Sequence, residues 1–344
     1  MAHPQLIVIT PVRNEAWVLE AFLTHCSSWA DRIIVADQHS TDGSREIAQR
    51  FPKVTLIDNP TDEWVENVCR ARLLEEAQYI PGDKIIFALD CDEFLSDGFQ
   101  QTAGWKRIME SEPNEIFYFR WLNLYGDMSH GQIEGTGAEW AAHYAPDVDI
   151  VSEYRERERH AVHCQRVPCL EGDRCRYTLI EDILFVHLGS LNRYRMRNKL
   201  DFYQVVNFDK NPQKSNPISL YRAYTDILQF KAPRLDSPVR ITTADGHDIT
   251  SHVRIAEPGQ HYVEEMSTIL RREGFKKFRW LCIWDNSYLC AAGIAYKPPF
   301  QIRTIHRYLR TTQRYSHCYL VKVIDKLLKM MPMSASQPLA PKGA

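Results

Sequence analysis

The stretch KIIFALDCDEFLS, residues 84–96, places a short apolar run directly before a group of acidic side chains. A run of about five apolar residues bounded by polar ones is typical of a strand buried on both faces, as in a parallel sheet. Asp90, Asp92 and Glu93 follow at the point where this strand ends. Because carboxylates gathered in one turn repel one another, the stretch predicts a cation close to them.

Other apolar runs precede this one and alternate with amphipathic helical patterns. They are LIVIT at 6–10, RIIVA at 32–36 and VTLI at 54–57. The alternation predicts an α/β fold with a doubly wound, mainly parallel sheet flanked by helices, followed by a helical C-terminal region. In such folds, ligands bind outside the carboxyl ends of the strands.

Polar clusters follow three of the predicted strands. They are TPVRNE at 10–15, DQHSTDGS at 37–44 and DCDEF at 90–94. Parallel strands would bring these clusters to one edge of the sheet, which predicts a composite site. The paired acids Asp90 and Asp92 suit Mg²⁺ or Mn²⁺, which bind through one or two carboxylates and the phosphates of a substrate. The simpler alternative is that these acids cap the next helix.

The composition is that of an ordinary folded protein. The 344 residues include 44% hydrophobic and 25% charged residues, and the net charge of −2 argues against nucleic acid as a partner. No uninterrupted apolar run of about 18 residues is present, so no membrane span is predicted. Scattered cysteines, and the lack of a signal-peptide pattern after Met1, predict a reducing, cytoplasmic location.

In their order, the three clusters resemble the nucleotide-sugar-binding half of family 2 glycosyltransferases with the GT-A fold, whose patterns are P-x-x-N-E, D-x-x-S-x-D-G-[ST] and D-x-D. The match covers residues 6 to about 125. DCDEF, together with ILFVHLG before a basic helix, resembles the subgroup that builds bacterial lipopolysaccharide and other surface glycans. The resemblance implies metal-dependent, inverting transfer from a nucleotide-diphosphate sugar, expected to be a UDP-sugar. The implied acceptor is a glycan or a lipid-linked glycan.

The resemblance over the first part of the chain, and the composition of the rest, predict a domain organisation. It consists of a nucleotide-sugar-binding half at 1–125, an acceptor and catalytic half at 126–230, C-terminal additions with amphipathic helices at 231–330, and a flexible tail at 331–344.

The first two motifs are implied to surround the nucleotide. Asp37 matches the acid that hydrogen-bonds the uracil or ribose, whereas Gln38-His39 departs from the second Asp of many family members and leaves the choice of nucleotide open. The remaining matching positions border the nucleotide or shape its loop, and they are Pro11, Arg13, Asn14, Glu15, Ser40 and Asp42.

The third motif is implied to hold the metal and the sugar. Asp92 matches the metal ligand, and Asp90 matches the acid that faces the ribose or sugar and can share the metal. His187, in ILFVHLG, is implied to be a third metal ligand or a diphosphate contact. The alternative for His187 is a hydrogen-bonded residue at the edge of the core.

Arginines in NVCRARLLEEA are implied to lie near the diphosphate, and they are Arg70 and Arg72. The alternative is that they are surface arginines paired with Glu75 and Glu76 at helical spacing.

A glycosyl transfer requires a general base that accepts the proton of the acceptor hydroxyl. Glu181 and Asp182 lie near the offset from D-x-D at which the family has its base, and Glu153 and Glu156 compete with them. A solvated charged surface is the alternative for each of these acids.

A basic helix follows His187. Arg195 and Lys199, with neighbouring arginines, could engage the diphosphate or an anionic acceptor. The alternative is a solvated amphipathic helix.

The cysteine and histidine cluster at 160–175 raises the question of a zinc site, but its spacing matches no common zinc pattern. The basic amphipathic stretch at 304–330 leaves two interpretations open. It could lie on an anionic membrane surface as a peripheral contact, or form a terminal helix docked on the protein, which is the simpler case.

Two other function classes remain. A metal-dependent nucleotidyltransferase could share this sheet and acidic turn, although TPVRNE contains neither the Gly nor the Lys typical of its first loop. A non-catalytic nucleotide-sugar-binding module would keep Asp37 and Asp90 but would need no base.

Overall fold

The structure, a computed structural model, describes residues 3–59, 66–146, 149–151, 165–169, 175–211, 214–229, 231–331 and 333. These residues form two compact units, one of residues 1–191 and 232–255 and the other of residues 192–231 and 256–344.

The first unit is built on an eight-stranded sheet of the order β3-β2-β1-β4-β7-β6-β8-β5. The strands are β1 (Gln5–Val12), β2 (Arg32–Asp37), β3 (Val54–Asp58), β4 (Lys84–Ala88), β5 (Glu93–Leu95), β6 (Glu115–Tyr125), β7 (Gly131–Tyr144) and β8 (Arg176–Ser190). Strands β1 to β4 pair in parallel, whereas β7 joins β4 and β6 in antiparallel fashion. The predicted mainly parallel α/β fold is confirmed.

Helices cover both faces of this sheet because alternate residues of the buried strands point to opposite sides. The helices are α1 (Leu19–Ser27), α2 (Ser44–Gln49), α3 (Glu66–Gln78) and α4 (Ala103–Met109). Val8 and Phe87 pack in the same core cluster as α1, whereas Ile7 and Ile86 pack with α3. This arrangement leaves the carboxyl ends of the strands as the open edge of the sheet.

Strand β7, which lies in a glycine-rich stretch, was not predicted. Gly131 has a structural reason: a Cβ there would lie 3.0 Å from the Asn123 carbonyl oxygen and 2.9 Å from Leu124. Only glycine allows β6 and β7 to approach this closely.

Residues 232–255 return to the first unit as a loop segment. Ile241, Ile249 and Val253 enter its core, and the Thr242 hydroxyl donates to Asp97 at 3.0 Å.

The second unit is helical in the described residues. Its helices are α5 (Arg193–Lys210), α6 (Pro217–Gln229), α7 (Gln260–Glu273), α8 (Ser287–Ala291), α9 (Phe300–Thr312) and α10 (Tyr319–Lys329). The basic stretch at 304–330 therefore forms two helices, separated by a 3-10 turn at Gln313–Tyr315. None of the helices in the described parts of the chain is long and apolar enough to cross a membrane.

Candidate active site

The predicted motif residues Asp37 and Asp90 lie at the carboxyl ends of strands on either side of β1. Val12 of β1 pairs with Asp37 of β2, and Ile9 of β1 pairs with Ala88 of β4. Leu89 alone separates Ala88 from Asp90. Two strand spacings separate the chains of Asp37 and Asp90, a distance of roughly 10 Å. All three motifs thus lie at the carboxyl end of the sheet.

Asp37 is buried, and its two carboxylate oxygens have different surroundings. Oδ2 accepts from the Ser40 amide at 3.4 Å and lies 3.3 Å from Arg45 Nη1. Oδ1 is buried and has no hydrogen-bond donor within the described part of the chain. Because an unsatisfied buried carboxylate oxygen is costly, Oδ1 is suited to accept a hydrogen bond from a ligand.

The first and second motif loops are joined by hydrogen bonds between them. Asn14 has a positive φ of 56°. Its backbone N–H donates to the Ser40 hydroxyl at 2.9 Å, and its side-chain oxygen accepts from the backbone N–H of Thr41 at 2.7 Å. Asp42 accepts from the Ala16 amide at 2.9 Å. Asn14, Ser40 and Asp42 therefore fix the shape of the loops.

Other predicted residues of the first motif lie along the same loop. Pro11 is half-buried in β1, and Arg13 is half-buried directly after it. Glu15 donates its amide to the Ser44 hydroxyl at 2.9 Å, and its carboxylate accepts from the Trp17 indole. Nucleotide contact by Pro11, Arg13 and Glu15 stays a prediction.

Two buried guanidinium groups supply the positive charge that was predicted close to the acidic turn. Arg70 of α3 donates from Nη2 to Asp90 Oδ1 at 2.6 Å, and Arg166 donates from Nη2 to Asp90 Oδ2 at 2.9 Å. Each Asp90 oxygen thus faces an arginine. This pairing disfavours Asp90 as a metal ligand, since the guanidinium groups already stabilise its charge.

Glu93 is almost fully buried and is held by the same arginine. Arg166 Nη1 donates to Glu93 Oε2 at 2.6 Å, and Nη2 donates to Oε1 at 3.0 Å. The Asp90 amide and the Trp140 indole also donate to Oε2, at 2.9 and 3.2 Å. Burial raises the pKa of Glu93, and the charge of Arg166 opposes this shift. Glu93 therefore fixes the turn that carries Asp90 and Asp92.

Strand pairing brings His187 to Asp92. Glu93 of β5 is level with His187 of β8, and the Leu188 amide donates to the Asp92 carbonyl at 2.9 Å. As a result, His187 Nε2 lies 3.5 Å from Asp92 Oδ2.

The orientation of the His187 ring is set by two neighbours. Its Nδ1 lies 2.6 Å from Asn123 Oδ1, and the ring stacks on Trp121 at 5.3 Å between centroids. Because an amide oxygen only accepts, Nδ1 donates to Asn123, and Nε2 is the ring nitrogen that faces Asp92. A lone pair and a carboxylate oxygen facing each other repel unless a proton or a metal ion lies between them.

Asp92 and His187 form a donor pair that fits a divalent metal. A Cβ at Gly189 would lie 2.8 Å from His187 Nε2 and 3.1 Å from Asp92 Oδ2, so the glycine keeps the space beside both atoms open. Among the described residues, no group of three or more His, Cys, Asp or Glu side chains is arranged around a metal position. An ion held by the pair would have coordination positions available for substrate and water.

Arg72 is a surface arginine paired at helical spacing, which was the alternative to a position near the diphosphate. It lies on the surface of α3 and pairs with Glu75 at 3.1 Å. Of the two predicted arginines, only Arg70 is turned toward the acidic turn, because α3 buries the side that carries Arg70.

The predicted base residues lie elsewhere on β8. Asp182 Oδ2 accepts from the Gly104 amide at 2.9 Å, in the first turn of α4, and Glu181 is exposed and pairs with Arg120 at 3.3 Å. Asp182 lies five residues before His187, in a part of β8 where residues 181–183 bulge out of the pairing with β6. The structure therefore does not bring Asp182 or Glu181 to Asp92, and their catalytic role stays a prediction. Glu153 and Glu156 lie outside the described residues.

Arg195 and Lys199 belong to α5 in the second unit. Arg195 is buried, pairs with Glu257 and lies 5.5 Å from the Tyr262 ring centroid. Lys199 lies 5.9 Å from the Tyr203 ring centroid. These contacts give both side chains packing roles within their unit, and substrate contact stays a prediction.

The described cysteines of the 160–175 cluster form a disulfide, Cys169–Cys175. A disulfide sulfur is not a thiolate, so these two residues do not supply zinc ligands here. The bond also differs from the reduced cysteines that were expected. His160, His163 and Cys164 lie outside the described residues.

Two residues of the site had no sequence motif of their own, Arg166 and Asn123. Arg166 is separated from Glu93 by 73 positions, and Asn123 from His187 by 64. The remaining signal was the charge of the acidic turn, which predicted a cation but not its position.

The sheet and its flanking helices define a GT-A-like fold. Residues 7–103, which contain all three motifs, match the model of Glycosyl transferase family 2. No curated protein matches the chain significantly.

Several solved structures are similar to part of the chain. HddC from Yersinia pseudotuberculosis is 12% identical, with 54% of this chain and 94% of that chain covered and a TM-score of 0.32. Inositol-1-phosphate CTP transferase from T. maritima is 9% identical, with 55% and 91% covered and a TM-score of 0.35.

Glucosyl-3-phosphoglycerate synthase from Mycobacterium tuberculosis, in complex with Mn²⁺, UDP and phosphoglyceric acid, is 17% identical with a TM-score of 0.27. The match covers 36% of this chain and 43% of that chain, less than half of its length. At these TM-scores, none of the three structures supports a functional argument.

Proposed function

We propose that the first unit binds a nucleotide-diphosphate sugar, specifically a UDP-sugar, and transfers the sugar with inversion to an acceptor hydroxyl. The observation that supports this most strongly is the Asp92–His187 pair, 3.5 Å apart, beside the turn that holds Asp90. The family match over residues 7–103 supports the same class of reaction.

In this proposal, the nucleotide lies along the carboxyl edge of the sheet. Asp37 Oδ1, which lacks a donor among the described residues, accepts a hydrogen bond from the base or the ribose. Asp90, held by Arg70 and Arg166, faces the ribose or sugar. The hydrogen bonds between the first two loops keep this surface rigid, which lowers the entropic cost of binding.

Asp92 and His187 would hold a divalent metal, Mn²⁺ or Mg²⁺. The mixed oxygen and nitrogen pair favours Mn²⁺, because Mg²⁺ prefers oxygen ligands alone. When bound, the metal supplies charge that stabilises the departing diphosphate. Trp121 and Asn123 orient the His187 ring, and Glu93 with Arg166 positions the backbone of Asp92.

We further propose that the acceptor is a surface glycan or a lipid-linked glycan of the lipopolysaccharide type. The support for this acceptor class is the likeness of DCDEF and ILFVHLG to that subgroup.

The test is release of free nucleotide from a panel of UDP-, GDP- and CMP-sugars in the presence of Mn²⁺. Transfer predicts slow hydrolytic release of UDP by the wild type and its loss in Asp92→Asn. A second assay supplies a nucleoside triphosphate and a sugar phosphate and measures the release of pyrophosphate. Pyrophosphate formation without release from any nucleotide sugar would contradict the proposal in favour of a nucleotidyltransferase, and binding without either reaction would favour a binding module.

A further inference from the structure

Strongly exposed apolar side chains of the described residues are concentrated near the end of the second unit. More than half of the large ones lie between residues 300 and 331, namely Phe300, Tyr315, Tyr319, Leu320, Leu327, Met330 and Met331. Single exposed apolar side chains are ordinary, but a dense group of them marks a surface that binds a partner.

Helix α10 has a packed side that is fixed by specific contacts. Val321 and Asp325 are buried, four residues apart. The Asp325 carboxylate accepts from Arg222 Nε at 2.8 Å and from the Tyr308 hydroxyl at 2.9 Å. These contacts prevent the helix from rotating to bury another side.

The opposite side of α10 is apolar as well. At 3.6 residues per turn, Tyr319, Val323 and Leu327 follow one another on the side away from Val321 and Asp325. Tyr319 and Leu327 are 84% and 61% exposed. Met330, 78% exposed, extends the same row just beyond the helix. We call Tyr319, Val323, Leu327 and Met330 the outer stripe.

A row of lysines borders the outer stripe. Lys322, Lys326 and Lys329 are exposed and lie at spacings of four and three residues, which places them along one edge of α10. Asp325 is the single acidic residue between positions 300 and 331, and it is buried against Arg222. Within this range, the exposed charges are therefore all positive.

We propose that the outer stripe and its lysines dock on an anionic membrane surface. An apolar face beside a basic edge is the pattern of a helix that lies in the interface, with its apolar side among the acyl chains and its lysines near lipid phosphates. Tyrosine at one end of the stripe suits the headgroup region. This membrane contact does not depend on whether the first unit transfers a sugar.

The charge pattern argues against a second copy of the chain as the occupant. In an antiparallel two-fold pairing of α10 with its copy, the lysine row of one copy would lie near that of the other. Repulsion between these rows would oppose such a dimer, whereas anionic lipid would be attracted to them.

The test is co-sedimentation of the full chain with vesicles of phosphatidylcholine alone, or of phosphatidylcholine mixed with phosphatidylglycerol, without nucleotide. We expect binding to the anionic vesicles that weakens with salt. Leu327→Ser/Met330→Ser should abolish this binding. Lys322→Ala and Lys326→Ala should each weaken it by about fivefold. Because all four side chains are exposed, the variants are expected to keep the circular dichroism of the wild type.

The matched controls lie in the first unit. Tyr79 is 73% exposed and the Lys106 side chain 74%, so Tyr79→Ser and Lys106→Ala remove comparable groups and should leave vesicle binding unchanged. Failure of the wild type to bind anionic vesicles would overturn the proposal, as would equal binding by the α10 variants. A wild-type dimer in sedimentation that Leu327→Ser/Met330→Ser dissociates would overturn it in favour of a second copy.

Discussion

Arg166 and Glu93 form a buried ion pair with two hydrogen bonds, at 2.6 and 3.0 Å. The same guanidinium also reaches Asp90, so one arginine stabilises two of the carboxylates that follow β4. Glu93, the residue of DCDEF without a nucleotide or metal role in the proposal, thereby holds the turn in place. A charge in this position would be costly without its partner, because burial removes its hydration.

We expect removal of either member of this pair to destabilise the first unit. Glu93→Gln and Arg166→Gln should each lower the free energy of unfolding by about 3 kcal/mol, because Arg166→Gln leaves Glu93 buried without a cation and Glu93→Gln leaves the buried Arg166 with Asp90 as its remaining partner. Denaturant unfolding followed by tryptophan fluorescence measures this loss. In the double variant the loss should be smaller than the sum of the single losses.

The control for this cycle is Arg72→Gln, which breaks a surface pair with Glu75 and should cost less than about 0.5 kcal/mol. Strictly additive losses at Glu93 and Arg166 would show that the two side chains do not depend on each other, contrary to the contacts described.

Asp182 provides a test that separates capping from catalysis. Asp182→Ala removes the acceptor of the Gly104 amide and should cost about 1 kcal/mol of stability. Asp182→Asn keeps an oxygen that can accept this hydrogen bond, so stability and sugar transfer should both stay close to the wild type. If Asp182 were the general base, Asp182→Asn would instead lower the transfer rate by roughly a hundredfold or more, at unchanged stability.

His25 makes the stability of the first unit sensitive to acid. It is fully buried, its Nδ1 donates to the Thr242 carbonyl at 2.6 Å, and its Nε2 accepts from the Leu95 amide at 3.3 Å. Burial lowers the pKa of His25 from 6.5 to about 4. The unfolded chain therefore takes up a proton below about pH 6.5, while the folded chain stays neutral at this residue until about pH 4.

Stability should fall as the pH decreases from about 6.5 to 4, with His25 contributing about 2 kcal/mol of the loss by pH 5. The measurement is the urea unfolding free energy of wild type and His25→Gln at pH 7 and pH 5. Glutamine can donate and accept in place of the ring but does not titrate, so the variant should lose less stability on acidification. His306, whose pKa burial also lowers to about 4, remains in both proteins. An equal loss in both would contradict the role of His25.

Much of the sheet and part of the site could be predicted from the sequence because the deciding patterns are local. Apolar runs such as residues 84–88 define buried strands, and parallel pairing alone brings Asp37 and Asp90 to one edge. His187 was predicted from its motif, and its pairing opposite Glu93 places it beside Asp92.

The contacts that were missed join distant parts of the chain. Arg166 lies in a segment without helix or strand periodicity, so nothing local indicates that its side chain enters the core. Asp182 is one of two adjacent exposed residues of β8, and its contact depends on the close approach of Gly104, where a Cβ would lie 2.2 Å from its carboxylate. Sequence offset alone could not indicate this hydrogen bond, because it joins residues 78 positions apart.

The central claim, that Asp92 and His187 hold a metal which binds the diphosphate of a nucleotide, is tested most directly by calorimetric titration of UDP with and without Mn²⁺. For the wild type, Mn²⁺ should strengthen UDP binding by at least about tenfold, or ~1.4 kcal/mol. Asp92→Asn and His187→Ala should lose this gain, Asn123→Ala should lose part of it, and Glu75→Gln should keep it. Equal UDP affinity with and without Mn²⁺, or an undiminished gain in Asp92→Asn, would contradict the claim.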